Sequence, residues 1–239
     1  MPAVSTSGNA TCGWLWVTVR RLGLAKLSVV IALATGALAS HAGSYEDFFA
    51  AIKQDDSRTL AALLQRGFDP DTPDPQGQSG LILAAREPAM KAFLVLVNWP
   101  KIKVETRNAK DESPLMIAAL KGYLDKARLL IDKGADVNKT GWTPLHYAAT
   151  KGDPAMIDLL LESHAYIDAE SPNGSTPLMM AAMYGTTSAV KLLLESGADP
   201  SLRNEQGLTA IDFAQRGQRL ESVEVISAFI RAKQPRGKW

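Results

Sequence analysis

Few side chains in this sequence could carry chemistry. Beyond residue 42 it holds two histidines, His146 and His164, and no cysteine, because the single Cys12 falls in the leading segment. A nucleophile with its base, or a metal set, needs such groups to converge on one point. Here the carboxylates are scattered along helix surfaces instead. The adjacent acids Asp55 and Asp56 suit a helix start, where free amides and the macrodipole favour negative charge. No glycine-rich phosphate loop or zinc-ligand spacing occurs. Thioethers are the remaining candidates, since soft methionine sulfur can hold copper: Met116, Met156, Met179, Met180 and Met183. Met116 and Met179 fall in the histidine column of the repeat described below, Met180 in its buried column and Met156 in a core-facing helix, so packing accounts for nearly all of them. The expectation is a chain with no cofactor, no metal and no enzymatic activity.

Charge and the leading segment narrow the classes further. The chain has 239 residues and a formal charge of +1, with 46% hydrophobic and 21% charged residues, a balance typical of a folded soluble protein. Residues 1–42 contain Arg20, Arg21 and Lys26 but no acid, so the remainder carries 23 bases against 25 acids, about −2. A near-neutral body gives no reason to expect a nucleic-acid partner. Arg20, Arg21 and Lys26 precede the apolar run from Leu27 to Leu38, which ends among small residues. That is the pattern of a secretory signal. Cleavage before Ser40 or before Gly43 fits, the second leaving Tyr45 close to the new end. A run of about a dozen residues is short of the roughly 20 that span a bilayer, so a membrane contact is expected only if the segment stays attached. Residues 1–19 are superfluous to a signal and are consistent with a start codon assigned too early. Absence of cysteine from the rest suits an oxidising compartment. The expected location is the periplasm.

Positions of side chains follow from a repeat. Ser113-Pro114-Leu115-Met116-Ile117-Ala118-Ala119 recurs as Thr143-Pro144-Leu145-His146-Tyr147-Ala148-Ala149 and as Thr176-Pro177-Leu178-Met179-Met180-Ala181-Ala182. Weaker copies begin at Ser79 and Thr209, giving spacings of 34, 30, 33 and 33 residues. A second column, Gly67, Pro100, Gly134, His164 and Gly197, marks the end of each unit. The physical reading is direct. A Ser or Thr hydroxyl caps a helix start, worth ~1 kcal/mol, and proline at the first helical position loses no bond. Paired alanines leave a thin flank for a neighbouring unit. Gly122, Gly152 and Gly185 separate two helices, and a left-handed glycine ends the second. Such units cannot bury both faces alone, so they must stack, with polar caps at the ends. Glu46 and Asp47 replace the Thr-Pro start in the first unit, and the last is degraded around Gln218 to Glu221.

These phrases resemble the ankyrin repeat, with its T-P-L-H-x-A motif and 33-residue period; Thr143 to Ala149 matches it residue for residue. The resemblance covers roughly residues 44 to 232 and, with the leader, points to a bacterial protein of exported type. It implies an all-α fold: an α-solenoid of about six helix-turn-helix units with short β-hairpin-like fingers. The predicted division is a signal segment over 1–42, a capping repeat over 43–75, inner repeats over 76–107, 108–139, 140–170 and 171–203, a capping repeat over 204–233, and a basic tail over 234–239. Three departures stand out. The interval from Gly134 to Thr143 is three residues shorter than its counterparts, so the fourth finger must shrink to a tight turn beside Trp142. His164 stands where glycine is expected, with strain of ~1 kcal/mol. Pro88 replaces the inter-helix glycine of the second repeat, and one extra residue follows Pro100.

By the same resemblance, His146 has a structural role, bonding locally to hold its turn. The resemblance also implies protein binding by the concave side, through finger tips and outward positions of the first helices. Carried over residue by residue, this marks Trp142, Tyr184, Leu120, Lys121, Lys151, Met183 and Arg216 as partner-binding. Trp142 packing on its own finger, and Tyr184 on the next helix, is the alternative. The partner is an unidentified protein and the chain is expected to be a monomer.

Overall fold

The computed structural model describes residues 43–233. The expected signal segment and the basic tail lie outside the described residues. Residues Asp47–Trp239 form one compact unit; of a second unit, Met1–Glu46, only residues 43–46 are described, and they are helical.

Twelve helices fall into six pairs among the described residues. They are α1 (43–53) with α2 (Ser57–Gln65), α3 (Gly80–Arg86) with α4 (Lys91–Val97), and α5 (Pro114–Lys121) with α6 (Leu124–Asp132). There follow α7 (Pro144–Lys151) with α8 (Pro154–Glu162), α9 (Pro177–Tyr184) with α10 (Thr187–Glu195), and α11 (Ala210–Arg216) with α12 (Leu220–Lys233). First helices touch in the order α3, α5, α7, α9, α11, and second helices in the order α2, α4, α6, α8, α10, α12. The chain is thus a two-layer stack of helix pairs, as the repeat required.

The core lies between the layers. The phrase leucines Leu81, Leu115, Leu145 and Leu178 are fully buried, and Phe93, Leu130, Leu160 and Leu193 of the second helices are equally inaccessible. Paired alanines let backbones close in. A Cβ on Gly185 would stand 2.5 Å from the Ala149 carbonyl oxygen. The three inter-helix glycines are not alike: Gly122 and Gly152 turn left-handed at φ 76° and 71°, but Gly185 is extended at φ −79°. Glycine is required there by close approach, not by backbone freedom.

The unit-end column is left-handed in Gly67, Gly134, Gly197 and also His164, at φ 66°. In the second unit the left-handed residue is Lys101, φ 67°, rather than Pro100. A proline ring locks φ near −65°, so the turn moves onto the extra residue.

Four fingers share one five-residue tip: 74–78, 108–112, 171–175 and 204–208. In each the first amide donates to the fifth carbonyl, at 2.8 to 3.2 Å. A first-position side chain folds back on the tip: Asp74, Asn108 and Asn204 accept two amides each, and the Ser171 hydroxyl accepts the Ser175 amide. The fingers are hairpin-like turns. Only the first registers as a β-bridge, Pro73 to Ser79, and the described residues contain no strand. Between 137 and 142 no such closing bond forms. The deletion has removed the tip.

Candidate functional site

The first helices α5, α7, α9 and α11 are each held by a reciprocal cap whose chemistry changes along the stack. The Ser113 amide donates to the Met116 sulfur at 3.4 Å, and the Thr176 amide to the Met179 sulfur at 3.4 Å. In the last repeat the Thr209 amide and hydroxyl both donate to Asp212, at 2.7 Å, holding that carboxyl below its usual range. In the fourth repeat the partner is His146. Its Nε2 lies 2.9 Å from the Ser175 carbonyl, which only accepts, so Nε2 carries the proton. Nδ1 then accepts from the Thr143 amide at 3.2 Å, with the Thr143 hydroxyl at 2.9 Å. The ring therefore joins its own cap to the next finger. It is 0% exposed, and burial pushes its pKa down to about 4. The structural role implied for His146 is what its geometry supports.

Trp142 stands directly before this cap, half-buried, with its ring edge-on to His146 at 5.3 Å between centroids. The shortened segment beside it is pinned on one side. Lys139 pairs with Asp111 of the preceding tip, and that bond holds the Asp111 carboxyl below its usual range. Tyr147, next along α7, donates its hydroxyl to Glu112 at 3.2 Å. Burial, then that carboxylate, pushes its pKa upward.

The other six marked residues lie at the opposite end of the first-helix layer. Leu120 and Lys121 end α5, Lys151 ends α7, Met183 and Tyr184 end α9, and Arg216 ends α11. These ends adjoin in sequence. A Cβ on Gly122 would lie 3.7 Å from the Lys151 Cε, one on Gly152 would meet the Thr186 amide at 2.4 Å, and one on Gly217 the Met183 oxygen at 2.5 Å. Lys121, Lys151 and Arg216 are exposed, as is Tyr184 at 51%, while Leu120 and Met183 are half-buried. Trp142 is separated from this row by the length of an eight-residue helix, ~12 Å. The structure thus groups six of the seven and sets Trp142 apart, against the cap.

Two functional side chains escaped sequence reasoning, both serving the irregular second repeat. Pro88 occupies the place of Gly122, whose amide donates to the Ala118 carbonyl. Without that amide the Ala84 carbonyl has lost its donor, and Lys126 of α6 supplies one: its Nζ bonds Ala84 O at 2.6 Å and also the Glu87 carbonyl. Lys126 is 3% exposed, with Nζ 5.0 Å from the ring centroids of Phe93 and Tyr123. Burial pushes its pKa down to about 8. At the other end of the repeat, α4 has no capping side chain of its own. Asp55 of the first repeat accepts the Ala92 amide at 2.7 Å. Only Asp56 caps α2, as expected of the pair, taking the Arg58 and Thr59 amides at 3.1 Å each. Lysine in a column otherwise filled by Met156 and Ala189 was the available signal.

Met156 is fully buried, as expected; Met180, placed in a buried column by the repeat, is half-exposed on α9.

Comparison with known proteins bears on what such a surface does. A model of ankyrin repeats, in three copies, matches residues 48–140, 88–171 and 145–233. Among solved structures, one similar chain comes from the Bd0816 predatory endopeptidase of Bdellovibrio bacteriovorus in complex with immunity protein Bd3460. The TM-score is 0.67 at 26% identity, over 76% of this chain and 97% of that one. An ankyrin repeat domain from Acinetobacter baumannii AYE aligns with TM-score 0.66 at 25% identity, over 76% and 96%. Curated relatives match over shorter stretches. The ankyrin repeat and KH domain-containing protein mask of Drosophila melanogaster is 38% identical over 80 residues, 31% of this chain but 2% of that protein. Protein phosphatase 1 regulatory subunit 27 of Mus musculus is 35% identical over 77 residues, 31% of this chain and 50% of that one.

Proposed function

Because this chain belongs to the ankyrin-repeat family, we propose that it is a non-catalytic protein-binding module of the bacterial cell envelope, exported by its leading segment and acting as a monomer. It holds or protects a partner protein on the first-helix side of the stack. Ankyrin repeats are protein–protein interaction modules. The observation that carries the reading here is the row of Leu120, Lys121, Lys151, Met183, Tyr184 and Arg216. It combines exposed bases with an aromatic and two half-buried apolar side chains, the composition of interface hot spots. Likeness to a chain from a complex of an endopeptidase with an immunity protein supports the reading that the partner is a protein held or protected in a complex.

One fractionation experiment tests location and attachment together. The mature protein is expected in the periplasmic fraction, with an N-terminus at Ser40 or Gly43. Recovery in membranes with the leader intact would replace this reading with a tethered scaffold, and recovery in the medium with a secreted effector. Capture of a periplasmic protein by the parent, lost in Tyr184→Ala at unchanged melting temperature, supports the surface. Equal capture by parent and variant refutes it.

A further inference from the structure

Charge is unevenly divided between the two helix layers. Setting aside the first repeat, whose α1 carries Glu46, Asp47 and Lys53, the five second helices α4 to α12 carry seven acids and six bases. The first helices α3 to α11 carry four bases, Arg86, Lys121, Lys151 and Arg216, against one acid, Asp212, which is engaged by the Thr209 cap. All four bases occupy the last turn of their helix. None joins an ion pair among the described residues, whereas Lys103, Arg107, Lys139 and Lys191 all do. The row also has an apolar centre. Between Lys121 and Arg216 lie Leu120, Met183 and the exposed Tyr184 ring.

Resting on the binding function proposed above, we infer that this row receives an extended acidic segment of the partner protein, with an apolar side chain near its middle. Length supports this. Packed helices lie 8–10 Å apart, so four steps from α3 to α11 span about 35 Å, the reach of some ten to twelve extended residues. The chain's own ends do not suit the row. Residues 1–42 contain three bases and no acid, and residues 234–239 two bases and no acid. Exposed charges attract a partner of opposite sign over roughly a Debye length, and salt weakens that attraction.

The test uses fluorescein-labelled dodecapeptides: one of Glu and Gly with a central Leu, and the same peptide with Lys for Glu. A dT12 oligonucleotide serves as an unrelated polyanion. The purified protein is expected to raise the anisotropy of the acidic peptide only, with affinity falling at least tenfold between 50 and 300 mM salt. The double charge reversal Lys121→Glu/Lys151→Glu should abolish binding, while Arg128→Glu on the second-helix layer leaves it unchanged, both at unaltered melting temperature. No binding of the acidic peptide, equal binding of the lysine peptide or of dT12, or persistence in the double reversal overturns the inference. If the double reversal still captures a periplasmic partner that Tyr184→Ala loses, the binding function stands and only the acidic segment is wrong.

Discussion

The second repeat and the three that follow it fold alike but are held differently. In the third, fourth and fifth repeats each first-helix start is closed by groups of the same repeat: Ser113 with Met116, Thr143 with His146, Thr176 with Met179. Asp153 and Thr186 likewise cap the second helices α8 and α10. The inter-helix glycine amide closes the preceding helix end. In the second repeat Ser79 still caps α3 from within, but the start of α4 is served by Asp55 of the first repeat and the end of α3 by Lys126 of the third. Stacked repeats normally share stability through apolar interfaces. Here a backbone defect introduced by Pro88 is mended by a charged side chain 38 residues further on, so the second repeat depends on its third for polar satisfaction as well.

One of the two largest expected effects breaks that dependence. Lys126→Met, which installs the residue found at the same place in the fourth repeat, takes the donor from the buried Ala84 carbonyl and the half-buried Glu87 carbonyl. It should cost about 2 to 3 kcal/mol by urea unfolding, most of it from the buried group. Pro88→Gly restores the amide, so the double variant should recover part of the loss. Additive losses would mean that Lys126 is not replacing the missing amide.

Of similar size is a pH effect confined to the fourth repeat. An unfolded histidine binds its proton near pH 6.5, and His146 in the fold only near 4. Between those values the unfolded chain holds more protons. The contribution is therefore complete above pH 6.5 and declines as pH falls towards 4, by about 3 kcal/mol. His146→Met, the choice of the third and fifth repeats, should flatten the slope between pH 6.5 and 5. An unchanged slope would place the titration elsewhere.

Asp55→Ala removes the borrowed start of α4 and should cost about 1 kcal/mol or somewhat more. Hydrogen exchange should localise its effect to the second repeat. Asp56→Ala should act on α2 instead, and identical exchange patterns would erase the distinction. The smallest change is a gain. His164→Gly relieves a left-handed non-glycine residue and should stabilise by up to about 1 kcal/mol, read as a higher melting temperature.

Most of the fold was legible because it repeats. Two independent columns, the Thr-Pro-Leu phrase and the unit-end glycines, report the same period. The three-residue deficit between Gly134 and Thr143 foretold the missing finger tip. Periodicity is a local property: it fixes which residues start, end and bury each helix. The candidate surface was legible only in part. Residue-by-residue transfer placed six side chains along one edge, but it could not measure the helix length that separates Trp142 from them.

What tertiary structure alone decided is how polar groups are shared between repeats. Nothing in the spacing of Lys126 assigns it to a carbonyl in the preceding repeat, and nothing about Asp55 distinguishes it from Asp56 beside it. Gly185 reads like Gly122 yet is demanded by the Ala149 carbonyl rather than by its own backbone. Sequence determines what a repeat does to itself, because its bonds run between residues three or four apart. Which group of one repeat completes another depends on distances across the stack, and those exist only once the layers have closed.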